Sequence, residues 1–527
     1  MFNSRIISLF VIFLWLVAVN NTFAQYPNIR VNLASSTDPE EVTIAINPTN
    51  PQNLVAGANI SYFYYSNDGG MNWNQGNLSS SLGVWGDPSV CFDVYGTAYF
   101  GHLSNPTSGS WLDRIVVQKS VDGGISWDNG VGIGLNPPKD QDKEWIVSDH
   151  TGSPYRNNLY MSWTEFDSYG STNPLDSSRI LFARKVDSLP MWSPSVRVSD
   201  VGGDCIDSDS TVEGAVPAVG PEGQVYISWS SSQGILFDKS LDGGATFGDD
   251  IFVVDQPGGW DFNVAGIYRT NGFPITLCDI SSSPYNGTIY IVWSDQRNGT
   301  DNTDVFLIKS TDGGASWGNM VRVNDDTTSR HQFFPWVALD PVTGNIYVVF
   351  YDRRSTTGNA TNVYVARSTD GGDTFENFRV NEMTFTPSNY IFFGDYINIA
   401  ARDGKVYPIW MRLDNTVLSV WIAIIDDTPF AIKDGEINNI TKYRLYQNYP
   451  NPFNSQTKIG FYLPSSEITT IRIYDLLGKE VRTIMSQKMP EGYHAITFDS
   501  GSLPSGIYYY RISAGLYSAV QKMILIR

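Results

Sequence analysis

Short apolar runs recur along residues 26–426, and Gly, Asn, Asp or Pro residues end each of them. Some runs alternate apolar and polar positions, others are wholly apolar, and none has the length and period of an amphipathic helix. Runs of this kind predict β-strands joined by tight turns. The first strand of a repeated unit recurs at residues 42–47, 88–93, 145–149, 215–220, 275–279, 336–340 and 396–401.

The predicted third and fourth strands of a unit flank a second repeated pattern, Ser-x-Asp-Gly-Gly-x-x-Trp/Phe, which we call the DGG turn. Full copies lie at residues 66–73, 120–127, 240–247, 310–317 and 368–375. A degenerate copy at 184–192 keeps Asp187 and Trp192 but loses the glycines. Successive copies are about 60 residues apart, which fits one four-stranded propeller blade with its loops.

The residue types of the DGG turn indicate a structural role. Gly313 and Gly314 can take the positive φ of a tight turn, and the Asp312 carboxylate can accept backbone N–H groups there. Trp317 can bury its ring against the blade. Because equivalent positions around a ring cannot share one substrate, we predict that these residues are structural: Asp68, Asp122, Asp242, Asp312, Asp370, Trp73, Trp127 and Trp317.

The last unit ends at residues 417–426 with no DGG turn and no fourth strand. Residues 28–32, "NIRVN", resemble the fourth strands of other units, such as residues 321–325. We therefore predict that they pair with the last unit and close the ring, which removes the edge of an open array. The predicted fold is all-β, with a seven-bladed β-propeller over residues 26–426 and six blades as the alternative.

The two ends of the chain have different patterns. Residues 1–24 have the basic residue, apolar core and small final residue of a signal peptide, with a membrane anchor as the alternative. Residues 427–441 are a polar linker, and residues 442–527 contain short alternating strands that predict a small β-sandwich. No later run is apolar over the roughly 18 residues of a membrane helix, so the mature chain is predicted to be exported without a transmembrane segment.

The C-terminal stretch closely resembles the sorting domain of type IX secretion cargo in Bacteroidota and related bacteria. The matching segments are "NYPNPFN" (448–454), "IYDLLGKEV" (473–481), "LPSGIYYYRI" (503–512) and "QKMILIR" (521–527). The resemblance implies that the type IX machinery and a sorting protease are partners. It also implies that the domain is removed, and that the protein is secreted or held at the outer-membrane surface.

The DGG turns give residues 26–426 a resemblance to the sialidase-like, Asp-box (BNR repeat) propellers. The resemblance implies a fold and a glycan ligand more than an activity, because many functions share such a scaffold. Sialidases proper carry a Phe/Tyr-Arg-Ile-Pro motif ahead of the first Asp box, and this chain has none before Asp68. Arg297 and Arg354 are the nearest matches to the sialidase arginines, Arg412 lies two residues out of step, and no Tyr–Glu nucleophile pair can be matched.

The net charge, the cysteine count and the absence of certain motifs exclude some classes of partner and cofactor. The chain has 35 Lys and Arg against 54 Asp and Glu, a net charge of −19, which argues against a nucleic-acid partner because phosphate binding needs basic patches. Cys91, Cys205 and Cys278 are odd in number and do not form a disulfide framework. The sequence has no zinc-ligand spacing, nucleophile elbow or phosphate-binding loop, so no cofactor is required.

The long loops lie at the end opposite the DGG turns and are predicted to carry function. Acids recur near the start of the first strands, where they would ring the mouth of the central channel: Glu41, Asp87, Glu144, Glu213 and Asp395. Two interpretations stay open, namely a catalytic or cation-binding cluster, and a set of acids that bond loop amides. In the catalytic interpretation Glu144, Glu213 and Asp395 provide the acid and the base.

Aromatic and basic residues accompany these acids, as a sugar site requires, and ordinary packing between loops is their alternative role: Trp85, Trp145, Trp260, Arg269, Arg330, His331, Trp336 and Tyr396. Arg297 and Arg354 can bind a substrate carboxylate in bidentate fashion, or pair with the Asp two residues earlier in their own blades. Asp204, Asp207 and Asp209 lie close together in one loop and are a candidate Ca²⁺ site.

Two functions follow from these patterns. The first is an exported propeller that binds or hydrolyses a glycan or a surface glycoprotein at the end opposite the DGG turns. The alternative is a non-catalytic adhesion propeller that binds carbohydrate or protein. Two carboxyl groups about 5–10 Å apart in an open pocket favour hydrolysis, whereas carboxylates all tied to backbone amides favour binding alone.

Overall fold

The computed structural model describes residues 26–427, 443–446, 448, 451–476, 478–515 and 517–526. Every regular element in this part of the chain is a β-strand. The chain divides into two compact units, Met1–Asp427 and Thr428–Arg527. The predicted signal peptide (1–24) and nearly all of the predicted linker (427–441) lie outside the described residues.

The first unit contains six sheets in which four successive strands pair antiparallel in chain order. Three of them are formed by β2 (Thr43–Ile46), β3 (Leu54–Ala58), β4 (Tyr62–Ser66) and β5 (Asn74–Asn77); by β6 (Ser89–Phe92), β7 (Ala98–Leu103), β8 (Ile115–Ser120) and β9 (Val131–Ile133); and by β10 (Asp140–Ser148), β11 (Leu159–Phe166), β12 (Ser178–Lys185) and β13 (Val196–Arg197).

The next three sheets follow the same order. They are formed by β14 (Glu213–Val219), β15 (Val225–Ser231), β16 (Gly234–Ser240) and β17 (Ile251–Val254); by β20 (Ile275–Cys278), β21 (Ile289–Asp295), β22 (Asp304–Ser310) and β23 (Val321–Arg322); and by β24 (Gln332–Leu339), β25 (Ile346–Asp352), β26 (Asn362–Ser368) and β27 (Glu376–Arg379). β18 (Asp261–Phe262) and β19 (Thr270–Asn271) form a small separate hairpin between β17 and β20.

The N-terminal strand completes one further sheet. β28 (Asn398–Arg402), β29 (Lys405–Asp414) and β30 (Val417–Ala423) pair in order, β31 (Ile425–Asp426) adds to β29, and β1 (Asn28–Arg30) pairs with β30. The first strands of successive sheets contact one another in a closed cycle, β2 to β6, β10, β14, β20, β24, β28 and back to β2. The unit is therefore a β-propeller closed by its N-terminal strand, as the repeats predicted.

The second strands of the blades are almost wholly buried because neighbouring blades cover both of their faces. Each of four second strands places a fully buried tryptophan at the same position: Trp163, Trp229, Trp293 and Trp410. These side chains fill the space between blades, which explains why the runs "LYMSW" and "IYIVW" show no alternation of apolar and polar positions.

The DGG turns pack against the preceding blade and so hold neighbouring blades together. Ser310 Oγ donates to Asp312 Oδ1 at 2.8 Å, and the backbone N–H of Ser316 donates to the same oxygen at 2.9 Å. Gly314 has a φ of +79°, and a Cβ there would collide with the Phe237 ring of the preceding blade. Trp317 packs edge-on against that ring at 5.2 Å. The contacts are those of a structural turn.

The second unit consists of two packed sheets. One contains β32 (Arg444–Leu445), β33 (Gln456–Leu463) and β36 (Gly492–Asp499), and the other contains β34 (Glu467–Tyr474), β35 (Glu480–Met489), β37 (Gly506–Ala514) and β38 (Tyr517–Leu525). Apolar residues of both sheets share one core, for example Phe461 and Ile471. The unit is the small β-sandwich that the alternating strands predicted.

Candidate functional site

In six blades a residue in a left-handed backbone conformation lies within the first strand or up to four residues before it. The residues and their φ values are Glu41 (54°), Asp87 (51°), Lys143 (52°), Gly214 (78°), Phe334 (50°) and Gly394 (75°). In β10, β14 and β24 the pairing with the next strand shifts at this point, which is a β-bulge. Bulges change the direction of side chains and are common beside functional sites.

The five predicted acids occupy three successive positions around this residue. Glu41 and Asp87 are themselves the residues of positive φ, Glu144 and Asp395 follow such a residue, and Glu213 precedes one. The repeats predicted them to be equivalent, whereas the structure places them at three different positions relative to the residue of positive φ. Their pattern is therefore not a repeated cap.

Lys143 takes the position in its blade that Glu41 and Asp87 take in theirs, and it joins three carboxylates. Its Nζ lies 3.7 Å from Glu41 Oε1, 3.1 Å from Asp87 Oδ2 and 2.7 Å from Asp395 Oδ2. Lys143 was not predicted from the sequence, because it is a base at a position where the other blades suggested recurring acids. The signal was available, since Lys143 directly precedes Glu144 in the aligned first strands.

Arg269 lies in the long loop 256–273 and bonds to acids of two other long loops, 202–214 and 381–396. Its guanidinium donates to both carboxylate oxygens of Asp395, with Nε 2.9 Å from Oδ1. Its Nη1 lies 3.2 Å from Asp207 Oδ2, which also accepts the hydroxyl of Tyr169 at 2.6 Å. The guanidinium lies over the Phe392 ring at 5.4 Å. We call Glu41, Asp87, Lys143, Arg269 and Asp395 the charged cluster.

The charged cluster separates the pKa values of its acids. Burial opposes the charge of Asp395, but Lys143 and Arg269 outweigh it and hold the pKa of that carboxyl below its usual range. Burial, followed by the nearby charge of Asp87, raises the pKa of Glu41 well above its usual value. Asn59 Nδ2 donates to Glu41, and Asn59 Oδ1 accepts the backbone N–H of Asp87 at 2.8 Å. The pKa values of the two acids are thus shifted in opposite directions.

Glu144 and Glu213 are as fully buried as Glu41 and Asp395. Their exposed fractions are 2% and 0%, and burial is the main cause that raises the pKa of each well above the usual value. Neither carboxyl oxygen of Glu144 has a hydrogen-bond partner among the described residues. Of the three acids predicted to be catalytic, the structure brings only Asp395 into the charged cluster.

Three aromatic residues close the central channel beneath the cluster. Trp145 packs against Trp336 at 4.2 Å and against Tyr396 at 5.6 Å between ring centroids. Tyr396 donates its hydroxyl to the carbonyl of Pro88 at 3.2 Å. These residues were predicted to bind sugar rings, and the structure uses much of their surface for contacts with one another. They form a floor that divides the channel into two parts.

A cleft of about 640 Å³ opens above the charged cluster, at the end opposite the DGG turns. Trp85 and Trp111 form one wall at 39% and 44% exposure, with their rings edge to face at 6.2 Å. Lys143 and Arg269 face the same space. Exposed aromatic rings beside charged side chains suit the apolar and hydroxyl faces of a sugar. Trp111 and Tyr169, which also lines the cleft, were missed by sequence reasoning because each lies outside the repeated strands.

The predicted arginines lie elsewhere. Arg297 binds Asp295, with Nη2 2.5 Å from Oδ2, and Arg354 binds Asp352, with Nε 2.7 Å from Oδ2. These are the pairs within one blade that formed the alternative interpretation. Arg330 donates to main-chain carbonyls, including that of Gly358. None of the three arginines is among the residues that line the cleft.

The three acids of the predicted calcium site have separate partners. Asp204 accepts the Thr211 hydroxyl at 2.8 Å, Asp207 binds Arg269 and Tyr169, and Asp209 accepts the backbone N–H of Asp261 at 2.8 Å. Among the described residues, no group of three or more His, Cys, Asp and Glu side chains is arranged to hold a metal ion. The calcium site stays a prediction.

Residues 447–526 match the family of secretion system C-terminal sorting domains. The chain therefore carries a type IX sorting domain, which directs export to the cell surface or the extracellular space. No curated protein matches the chain. The described residues contain no helix with the length and apolarity that a membrane crossing needs.

Several solved structures resemble the chain. A protein of unknown function from Dyadobacter fermentans is 9% identical, with a TM-score of 0.43 over 77% of this chain and 98% of its own. A family PL25 ulvan lyase bound to its saccharide is 11% identical, with a TM-score of 0.43 over 74% and 95%. Trypanosoma rangeli sialidase is 12% identical, with a TM-score of 0.39 over 94% and 89%. Likeness at this level decides nothing about function.

Proposed function

We propose that the exported propeller binds glycans in the cleft above the charged cluster. The observation that carries the proposal is the pair of half-exposed tryptophans, Trp85 and Trp111, next to Lys143 and Arg269 in one cleft. Large aromatic side chains exposed in a concave site mark a binding surface. The rings offer apolar faces to a sugar, while the cation side chains and Tyr169 offer hydrogen-bond donors to its hydroxyl groups.

Export supports this proposal. A protein sent to the cell surface or beyond meets polysaccharides and glycoproteins, and its sorting domain is a separate unit from the propeller. The charged cluster also supports it, because the acids there bind side chains across blades. That pattern differs from the backbone capping that would have made them merely structural.

The test is a binding titration of the exported protein against neutral, uronic-acid and sialic-acid oligosaccharides. The Trp111→Ala variant is expected to weaken binding by about tenfold, the equivalent of one lost ring contact. Tyr95→Ala is the matched control, because Tyr95 is 68% exposed in the turn between β6 and β7, at the end of the DGG turns. Absence of binding across the panel, or an equal loss in both variants, would contradict the proposal.

Hydrolysis of the bound glycan is a second candidate function, favoured by one observation. The pKa values of two acids are shifted in opposite directions, that of Glu41 upward and that of Asp395 downward, and both side chains lie beside Lys143. Carboxyl groups whose pKa values are pushed apart are the arrangement of an acid and its partner in glycoside cleavage. In this function Glu41 donates the proton to the leaving oxygen.

The hydrolysis candidate makes a separable prediction. Glu41→Gln keeps the neutral, hydrogen-bonding form of the side chain, so glycan binding is expected to persist while release of reducing ends is lost. A variant that still cleaves at the original rate would contradict the role of Glu41. Binding without cleavage in the original protein would leave the binding function standing and remove hydrolysis.

A further inference from the structure

The other half of the central channel is a second cavity with different chemistry. It lies beneath the floor of Trp145 and Trp336 and has a volume of about 1670 Å³, including its open mouth. Side chains of first strands from successive blades form its walls, and most are aliphatic: Val147, Val216, Leu277, Val337, Leu339 and Ala400. The cavity opens where the first strands end, among the turns that share a face with the DGG turns.

The mouth of this cavity carries only positive charge. Among its lining residues the charged side chains are Arg156 and Arg402, and His150 lies beside them. Burial, strengthened by the charge of Arg402, lowers the pKa of His150, although a bond to the Phe92 carbonyl opposes this. His150 is therefore neutral at pH 7.

Both arginines retain donors for a ligand. Within the described part of the chain Arg402 has no hydrogen bond or ion pair through its side chain, and Arg156 uses only Nη1, which donates to the Thr151 carbonyl at 2.8 Å and the His150 carbonyl at 3.4 Å. An arginine has five N–H donors, so most of this capacity is unused.

The charges of Asp149 and Asp93 reach His150, but both carboxylates are bonded within their own turns and neither forms an ion pair with Arg156 or Arg402 among the described residues. Asp149 accepts the hydroxyl groups of Thr151 at 2.6 Å and Ser153 at 2.8 Å. Asp93 accepts the backbone N–H groups of Tyr95 at 2.9 Å and Thr97 at 2.8 Å. In a chain with a net charge of −19, two arginines at a cavity mouth without lining carboxylates attract an anion.

We propose that this cavity binds an aliphatic carboxylate, with the carboxylate between Arg156 and Arg402 and the chain inside the channel. Arginine pairs well with a carboxylate, since its planar fork donates two parallel hydrogen bonds. The walls favour an aliphatic chain over a sugar, because a sugar would leave hydroxyl groups without partners against Val and Leu side chains. This site is independent of the glycan cleft, from which the aromatic floor separates it.

The depth of the cavity sets the length of the ligand. The strand from His150 at the mouth to Trp145 at the floor rises about 3.3 Å per residue, or about 16 Å in all. An extended chain of ten carbons is shorter than this depth, so it fits inside the cavity with its methyl end directed toward the ring of Trp145. Burial of the chain against the apolar wall provides the favourable free energy of binding.

The experiment is a titration of the full exported protein with decanoate, decanol and 10-bromodecanoate. Decanoate is expected to bind more than tenfold tighter than decanol, because only the acid engages both arginines. The bromine of 10-bromodecanoate is expected to quench the tryptophan fluorescence of the original protein, and the Trp145→Phe variant is expected to lose part of that quenching.

Three variants complete the test. The double variant Arg156→Gln/Arg402→Gln is expected to reduce the preference for decanoate over decanol at least tenfold. Lys119→Gln is the control, since Lys119 is an exposed lysine on β8, outside the channel. Ala401→Phe is expected to block the cavity while keeping both arginines. Equal binding of decanoate and decanol, an unchanged preference in the double variant, or quenching that survives Ala401→Phe would each overturn the proposal.

Discussion

The acids of the DGG turns and the acids at the starts of the first strands lie at opposite ends of the same blades, and they differ in kind. Asp68, Asp122, Asp242, Asp312 and Asp370 each accept the same serine hydroxyl and the same turn amide. Glu41, Asp87 and Asp395 all lie beside Lys143, which belongs to another blade. Their other partners differ, since Asn59 donates to Glu41 and Arg269 donates to Asp395. Hydrogen bonds that are the same in every repeat indicate a structural role, whereas bonds that differ between equivalent positions of the blades indicate a functional site.

Replacing Lys143 is expected to have the largest effect on the stability of the charged cluster. The Lys143→Met variant leaves three buried carboxylates without their shared ammonium group, and breaking a buried ion pair costs about 3–5 kcal/mol of unfolding free energy. Chemical denaturation of the propeller unit measures the loss. Lys119→Met removes an exposed lysine and is expected to change stability by less than about 0.5 kcal/mol. Similar losses in the two variants would mean that the charged cluster is not held together by Lys143.

The two glycines of one DGG turn test whether that turn has a structural role. Gly313 and Gly314 both have positive φ, but a Cβ on Gly313 meets open space while a Cβ on Gly314 collides with Phe237. Gly313→Ala is expected to cost about 1 kcal/mol from the backbone alone, and Gly314→Ala about 3 kcal/mol because a steric clash is added. Thermal unfolding measures both. Equal costs would show that the turn does not fasten neighbouring blades.

The smallest effect concerns the acid of a DGG turn and its pH dependence. Hydrogen bonds from Ser240, Thr246 and turn amides outweigh slight desolvation and lower the pKa of Asp242 from 3.8 to about 2. A lowered pKa contributes stability that is present above the unfolded value and lost as pH falls. Asp242→Asn is therefore expected to cost about 1 kcal/mol at pH 7 and almost nothing near pH 2.

The contribution of the cleft acid Glu41 to stability has the opposite dependence on pH. Its pKa is raised in the folded state, so its contribution to stability is present at low pH and lost as pH rises above its unfolded value. Denaturation curves of Glu41→Gln and Asp242→Asn across the pH range compare the two ends of the blades directly. Parallel pH profiles for the two variants would contradict the assignment of separate roles.

Much of the fold was predictable because a repeat carries its information locally. The spacing of the DGG turns indicated the blades, and the unpaired "NIRVN" segment indicated the closing strand, which pairs Asn28 with Ala423. The within-blade pairing of Arg297 was accessible for the same reason, since its partner Asp295 is two residues away.

The candidate site was less predictable because bulges and distant contacts create it. A one-residue shift of the strand start gives Lys143 the position of an acid, and no periodic pattern shows which acid is displaced. The bond between Arg269 and Asp395 joins residues 126 positions apart. Such contacts depend on ring closure, so the sequence indicated an end of the channel for the candidate site without indicating which side chains meet there. Because the turns at the other end of the channel are short, no site was predicted there, and the arginine-lined cavity was not expected from the sequence.

The central claim is that the glycan cleft lies opposite the DGG turns, and hydrogen–deuterium exchange of the exported protein with and without a bound oligosaccharide tests it most directly. Because the ligand would cover the cleft and immobilise its long loops, exchange is expected to slow at residues 105–113 and 256–273. Exchange in the DGG turn at residues 310–317 is expected to stay unchanged. Protection at the DGG turns, with none in the two loops, would contradict the account.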